Sequence, residues 1–175
     1  HICEVGPRDG LQNAHHLMPT EAKKAWIKAI ADAGVEEIEV GSFVPPKLIP
    51  AMADTGEIVA FARTLPGVKV VALAPNLKGF QRALEAGAHK VTFPVSASRT
   101  HSLANVRMTP EQMLEEVRKC AQHPHPGVEM EGAVSTAFGC TMQGEVPEDD
   151  VVRIAAGLAE FCDCVALADT VGYAN

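Results

Sequence analysis

The sequence predicts an α/β fold on a parallel sheet, and it favours a closed (β/α) barrel over an open doubly wound sheet. Three observations carry this. Short apolar runs of strand length alternate with helical patterns along the whole chain, which implies βαβ units and parallel strands. The turn after the first apolar run is Gly6-Pro7-Arg8-Asp9-Gly10, a charged pair where a dinucleotide-binding sheet would carry a G-x-G-x-x-G turn. The connections entering strands are short, whereas most of those leaving strands are long.

Strands are expected at roughly Ile2–Val5, Glu37–Val40, Val68–Leu73, His89–Phe93, Val128–Val134 and Cys164–Ala168. The intervening helices are expected at roughly Thr20–Ala33, Thr55–Thr64, Leu77–Ala86, Pro110–Ala121 and Pro147–Phe161. In the first helix, Thr20 reads as the N-cap. Ala22, Ala25, Trp26, Ala29, Ile30 and Ala33 fall at helical spacing. Thr109-Pro110 is a cap-then-proline start, and Ala33-Gly34 and Ala86-Gly87 are helix stops. The long segments Gly6–Pro19, Gly41–Asp54, Pro94–Thr109 and Ser135–Val146 all follow strands. In a barrel they gather at the strand C-termini, the face where barrel enzymes place their sites.

With 175 residues the chain can bury one sizeable core, and 47% hydrophobic against 21% charged residues places it among globular rather than disordered chains. A net charge of −7 argues against a nucleic-acid partner. No apolar run approaches the roughly 20 residues of a membrane span, and no leader points to secretion. The five cysteines match no zinc-knuckle spacing, and reduced thiols in a cytoplasmic setting are expected.

Four ionisable residues stand where a strand ends and a loop begins: Arg8 and Asp9, then Glu39, then Asp169. Taken singly, each has a plain reading as a helix cap or a surface ion pair. An inward acid in a barrel is costly unless it pairs or binds a cation. Brought onto one rim, three carboxylates and a guanidinium would suit a hard divalent ion beside an oxyanion partner.

The stretch Glu4-Val5-Gly6-Pro7-Arg8-Asp9-Gly10-Leu11-Gln12-Asn13 resembles the opening signature of the 3-hydroxy-3-methylglutaryl-CoA lyases, members of the DRE-TIM metallolyase superfamily. Gly41-Ser42-Phe43-Val44-Pro45-Pro46-Lys47, Ala74-Pro75-Asn76-Leu77-Lys78-Gly79-Phe80, Phe138-Gly139-Cys140 and Ala168-Asp169-Thr170-Val171-Gly172 resemble that family's later loops, in order. The resemblance implies a (β/α)8 TIM barrel. This chain would carry about its first six βα units, as a single incomplete catalytic domain over residues 1–175. It implies retro-Claisen cleavage of 3-hydroxy-3-methylglutaryl-CoA to acetyl-CoA and acetoacetate, in leucine catabolism, with Mg²⁺ or Mn²⁺ as cofactor. Asp9 matches a metal ligand, Arg8 an enolate-stabilising arginine, Glu39 a supporting acid, and Asp169 an aspartate that aids proton removal. Substrate contacts are expected from Gln12, Ser98, Asn105 and Thr170. The resemblance further implies an acyl-CoA partner, allows a homodimer, and places the protein in the cytoplasm, or the mitochondrial matrix in a eukaryote.

The family pattern continues past Asn175 with a His-x-His metal pair and a Gly-rich cysteine loop, so the chain is expected to be a fragment. His123-Pro124-His125 lies in a connector on the opposite face and is not expected to replace that pair. His15-His16 reads as a surface pair, and Cys140 as a packing residue without a basic neighbour. Arg99 stands where the family often has an acid, which leaves a related 3-hydroxyacyl-CoA open. A condensing synthase of the same superfamily, and a non-catalytic fragment, are the alternatives.

Overall fold

The computed structural model describes residues 2–174. It divides into two compact units. The first runs to Val91 and takes in Pro126–Val128; the second holds Thr92–His125 and the residues from Glu129 onward.

The first unit opens with β1 (Cys3–Glu4), α1 (Thr20–Asp32), β2 (Glu37–Ser42), α2 (Thr55–Ala62), β3 (Lys69–Leu73) and α3 (Leu77–Ala86). Its strands lie side by side in sequence order. β1 pairs with β2, and β2 with β3, both in parallel, with a bulge between Glu39 and Gly41. Sequential parallel order lacks the reversal that makes a doubly wound crevice. All six residues of β2 are buried, so its acids sit in the interior. The core of this unit is built on Ile38, Val40, Ile58, Val59, Val70, Val71 and Phe80. Each such side chain contributes roughly 1.5–3 kcal/mol on burial.

The face that α1 buries differs from the one its spacing predicts. Ala22, Ala25, Ala29 and Ala33 are exposed, and Trp26 and Ile30 are half-buried. Lys23 and Ile27 face inward instead. Lys23 goes in because its ammonium is neutralised there, 2.6 Å from Asp54 Oδ1 and 2.6 Å from the Ala51 carbonyl. An alanine-rich helix offers little apolar contrast, so a lysine with two acceptors in reach decides the face. Thr20 is already helical; Pro19 occupies the cap position, and the Thr20 hydroxyl donates to Asp54 Oδ2.

The second unit comprises most of β4 (Lys90–Ser96), then α4 (Arg99–Val106), α5 (Pro110–Ala121), β5 (Glu129–Ser135), α6 (Glu148–Ala159) and β6 (Cys164–Leu167). β5 and β6 pair in parallel. Met113, Val117, Met130, Val134, Ile154 and Leu158 are buried here. Thr109 and Gln112 close the capping box that starts α5. Two features differ from expectation. β4 continues past Phe93 to Ser96, through Pro94. The stretch after it, expected as loop, contains α4. Only Ser102 of α4 is buried, so no apolar period announces the helix. Its one legible signal is the N-cap Ser98, which accepts from the His101 N–H at 3.1 Å.

Candidate active site

In the first unit the chain leaves β1 through a wide turn, Gly6–Gly10, in which the Arg8 and Asp9 amides both donate to the Val5 carbonyl. Gly6 sits in a crowded spot: a Cβ there would lie 2.8 Å from Glu4 Oε1 and 3.1 Å from the Trp26 ring, so a larger residue would make those side chains shift. The turn presents Arg8 sideways. Its Nε donates to Glu39 Oε2 at 2.7 Å, and its Nη1 to Asp9 Oδ1 at 2.8 Å. The three predicted residues Arg8, Asp9 and Glu39 are therefore brought together. Their settings differ: the Glu39 side chain is 4% exposed and that of Asp9 54%. A buried carboxylate on one side fixes the guanidinium, and an open carboxylate on the other keeps free oxygen valences. Gln12 follows on the next turn, half-buried.

The loop after β2 is fastened to its own unit. Thr55 Oγ1 accepts from the Ser42 amide at 3.2 Å and lies 2.9 Å from the Met52 carbonyl. Gly79 lets α3 approach, since a Cβ there would come within 2.8 Å of the Phe43 carbonyl. The Arg82 guanidinium lies 5.3 Å from the centre of the Phe43 ring, a cation–π distance. Ser42 was not anticipated. Its hydroxyl is buried at the end of β2 and has no hydrogen-bond partner among the described residues. Nothing in sequence separates it from other strand-end serines.

In the second unit, Ser98 and Thr170 meet through Thr136. The Ser98 amide donates to Thr136 Oγ1 at 3.1 Å, and the Thr136 amide to Thr170 Oγ1 at 2.7 Å. Thr136 is buried at φ 58°, a conformation that a β-branched residue holds only when its surroundings impose it. The Ser98 hydroxyl is buried and donates to Gln143 Oε1 at 2.9 Å. Asn105 is exposed on α4, away from this hydrogen-bond network. Cys140 is buried. Burial raises its thiol pKa, but interactions with the Ser98 side chain and the Gln143 and Met142 amides outweigh that and lower it. These are supports that a search for basic neighbours does not reveal. His125 Nδ1 lies 2.6 Å from the His123 carbonyl, and His15 and His16 are exposed.

Asp169 follows β6 and is wrapped by its own turn. It accepts from the Tyr173 amide at 2.9 Å and the Ala174 amide at 3.1 Å. The Tyr173 N–H foremost, and then that of Ala174, hold its carboxyl below the usual aspartate range. Because the folded pKa is depressed, the stabilisation is present above the ordinary aspartate pKa of about 3.9. It is lost as pH falls through the lower folded value. An NMR titration of the Asp169 carboxyl in the full-length protein should show a midpoint below that of a free aspartate. A midpoint at or above it would mean that the turn does not hold in solution.

Asp9 fits one anionic oxygen ligand of a hard cation. Among the described residues no cluster of three His, Cys, Asp or Glu side chains could hold a metal ion, so Asp9 would be one arm of a larger donor set. The Arg8–Asp9–Glu39 trio carries a net charge of −1, an attractive environment for a divalent cation.

The HMGL-like family pattern matches residues 1–175. The mitochondrial hydroxymethylglutaryl-CoA lyase of Arabidopsis thaliana is 39% identical over 98% of this chain, which covers 37% of that protein. The 3-hydroxy-3-isohexenylglutaryl-CoA/hydroxymethylglutaryl-CoA lyase of Pseudomonas aeruginosa is also 39% identical, with 58% of its length covered. Among solved structures, an HMG-CoA lyase from Acinetobacter baumannii in complex with coenzyme A and 3-methylmalate superposes with a TM-score of 0.95 at 37% identity, covering 99% of this chain and 57% of that one. The Bacillus subtilis HMG-CoA lyase gives a TM-score of 0.92 at 37% identity, over 98% and 58% of the two chains. This chain therefore spans about a third to three-fifths of the length of these relatives, which are lyases. It carries six strands of the α/β architecture whose complete form is the (β/α)8 barrel, and no helix among the described residues is long and apolar enough to cross a membrane. On sequence and structure alike, the chain belongs to the HMGL-like family.

Proposed function

We propose that the protein to which this chain belongs is a metal-dependent carbon–carbon lyase that cleaves 3-hydroxy-3-methylglutaryl-CoA, or a close 3-hydroxyacyl-CoA, to acetyl-CoA and a 3-oxo acid. For the parent substrate that acid is acetoacetate, a product of leucine catabolism. The observation that carries the reading is the double grip on Arg8, by buried Glu39 at 2.7 Å and open Asp9 at 2.8 Å. The residues 1–175 act in this reading as part of one catalytic domain, in the cytoplasm or a mitochondrial matrix.

The reaction removes the proton of the C3 hydroxyl and breaks the C2–C3 bond. Its electron pair becomes a thioester enolate, which a proton then quenches at C2. Mg²⁺ or Mn²⁺ supplies Lewis acidity that makes the hydroxyl easier to ionise, and Asp9 is the ligand this chain offers. Glu39 holds the guanidinium in one orientation. The Arg8 N–H groups not engaged by the two acids donate to the thioester oxygen as charge gathers there. One such donor is commonly worth about 2.7–4 kcal/mol of transition-state stabilisation. Asp169 is the proposed proton acceptor. Its depressed pKa makes it a weak base while its turn is closed, so proton transfer is favoured when substrate displaces one of those amides. Gln12, Ser98, Asn105 and Thr170 are the proposed substrate contacts or supports of the loops that make them.

Incubating the full-length protein with Mg²⁺ and 3-hydroxy-3-methylglutaryl-CoA should release acetoacetate and acetyl-CoA in equal amounts. Absence of both products, with the protein folded and the metal in excess, overturns the reading.

A further inference from the structure

A chain of hydroxyls in the second unit fixes the protonation of His101, and its logic is proton counting. Thr136 Oγ1 lies 2.6 Å from the Ser135 carbonyl oxygen, which can only accept, so the Thr136 hydroxyl proton is used there. Thr136 Oγ1 also receives the Ser98 amide at 3.1 Å. Ser96 Oγ stands 2.9 Å from the same oxygen. With the Thr136 proton already placed, Ser96 is the donor in that contact. Ser96 Oγ has then no proton left for His101 Nδ1, 3.1 Å away, so the ring nitrogen is the donor. His101 is held as the Nδ1–H tautomer, the reverse of the form that free histidine favours in water. Its Nε2 keeps an open lone pair and has no hydrogen-bond partner among the described residues.

We propose that His101 is a substrate-binding residue whose Nε2 accepts a hydrogen bond from a neutral donor, a hydroxyl or an amide N–H, on the acyl-CoA. The ring is half-exposed in the first turn of α4, directly after the C-terminal end of β4. That is the end of the strands where barrel sites form. Burial lowers the imidazole pKa, which keeps the ring neutral and the lone pair available near neutral pH. Ser96 is 7% exposed and Thr136 0%, so water does not compete for the relay. The identity of the ligand rests on the lyase reading, whereas the tautomer does not.

The test separates the two. In full-length protein labelled with ¹⁵N-histidine, long-range ¹H–¹⁵N spectra should show His101 protonated at Nδ1 and bare at Nε2. In Ser96→Ala the balance should move toward Nε2–H. An Nε2–H ring in the unaltered protein overturns the proposal, whatever the activity. In kinetics, His101→Phe should raise KM for 3-hydroxy-3-methylglutaryl-CoA roughly tenfold, the worth of one hydrogen bond, and leave kcat within about twofold. Binding of 3-methylglutaryl-CoA, which lacks the hydroxyl, by calorimetry identifies the donor. Weakening of both ligands points to an amide N–H, and weakening of the hydroxylated one alone to the hydroxyl. Unchanged affinity for both overturns the binding role. A protein that releases no acetoacetate but keeps the Nδ1–H ring removes the lyase reading and spares the tautomer.

Discussion

Lys90→Met is expected to lower the stability of the full-length protein by about 3–5 kcal/mol, read as a shift in its urea midpoint. Lys90 and Glu37 form an ion pair whose side chains are 7% and 3% exposed. They begin β4 and β2, where a barrel interior would ordinarily hold branched apolar residues. Removing the ammonium leaves the Glu37 carboxylate buried without that charge. The neighbouring Cys3 thiol reports the same environment. Burial first, and then the Glu37 and Glu39 carboxylates, push it up to about 12, although Lys90 pulls the other way. The double change Lys90→Met with Glu37→Leu should recover most of the loss, since a well-packed apolar pair often equals or exceeds a buried ion pair. A loss under about 1 kcal/mol for Lys90→Met would match an exposed pair, and would mean that water reaches these charges in solution.

The same residues mark how far the sequence could be read. Strand and helix order followed from apolar runs and turn residues, because each βα unit must bury one face and then reverse. The Arg8–Asp9–Glu39 cluster was legible because a charged residue at the end of an apolar strand is costly unless it has a partner. Glu37 and Lys90 carry a similar signal at the strand starts, but no local pattern names a partner 53 positions away in sequence. Lys23 was hidden for the same reason: its acceptors Asp54 and Ala51 come from another loop. α4 was hidden because an exposed helix has no apolar period to show. The hydroxyl relay through Thr136 was beyond reach, since it depends on a positive φ at a non-glycine residue and on atoms from two strand ends.

Arg8→Lys is expected to reduce kcat for 3-hydroxy-3-methylglutaryl-CoA cleavage about 10²–10³-fold, the usual cost of losing one oxyanion donor, with a much smaller change in KM. Lysine keeps the charge but not the fork. Arg8 engages Glu39 through Nε and Asp9 through Nη1, and a single ammonium cannot hold both acids in that geometry while still reaching a thioester oxygen. Two controls separate chemistry from packing. If Arg8 served only to satisfy buried Glu39 through its fork geometry, then Arg8→Lys combined with Glu39→Gln would relieve the mismatch and restore turnover. The enolate reading expects the double variant to stay slow. The second control is exchange of the acetyl-CoA methyl protons with solvent deuterium. This passes through the same enolate without any C–C bond being made. If Arg8 stabilises that enolate, exchange and cleavage fall together in Arg8→Lys. If exchange persists while cleavage fails, the guanidinium acts on the C3 oxygen instead of the thioester oxygen.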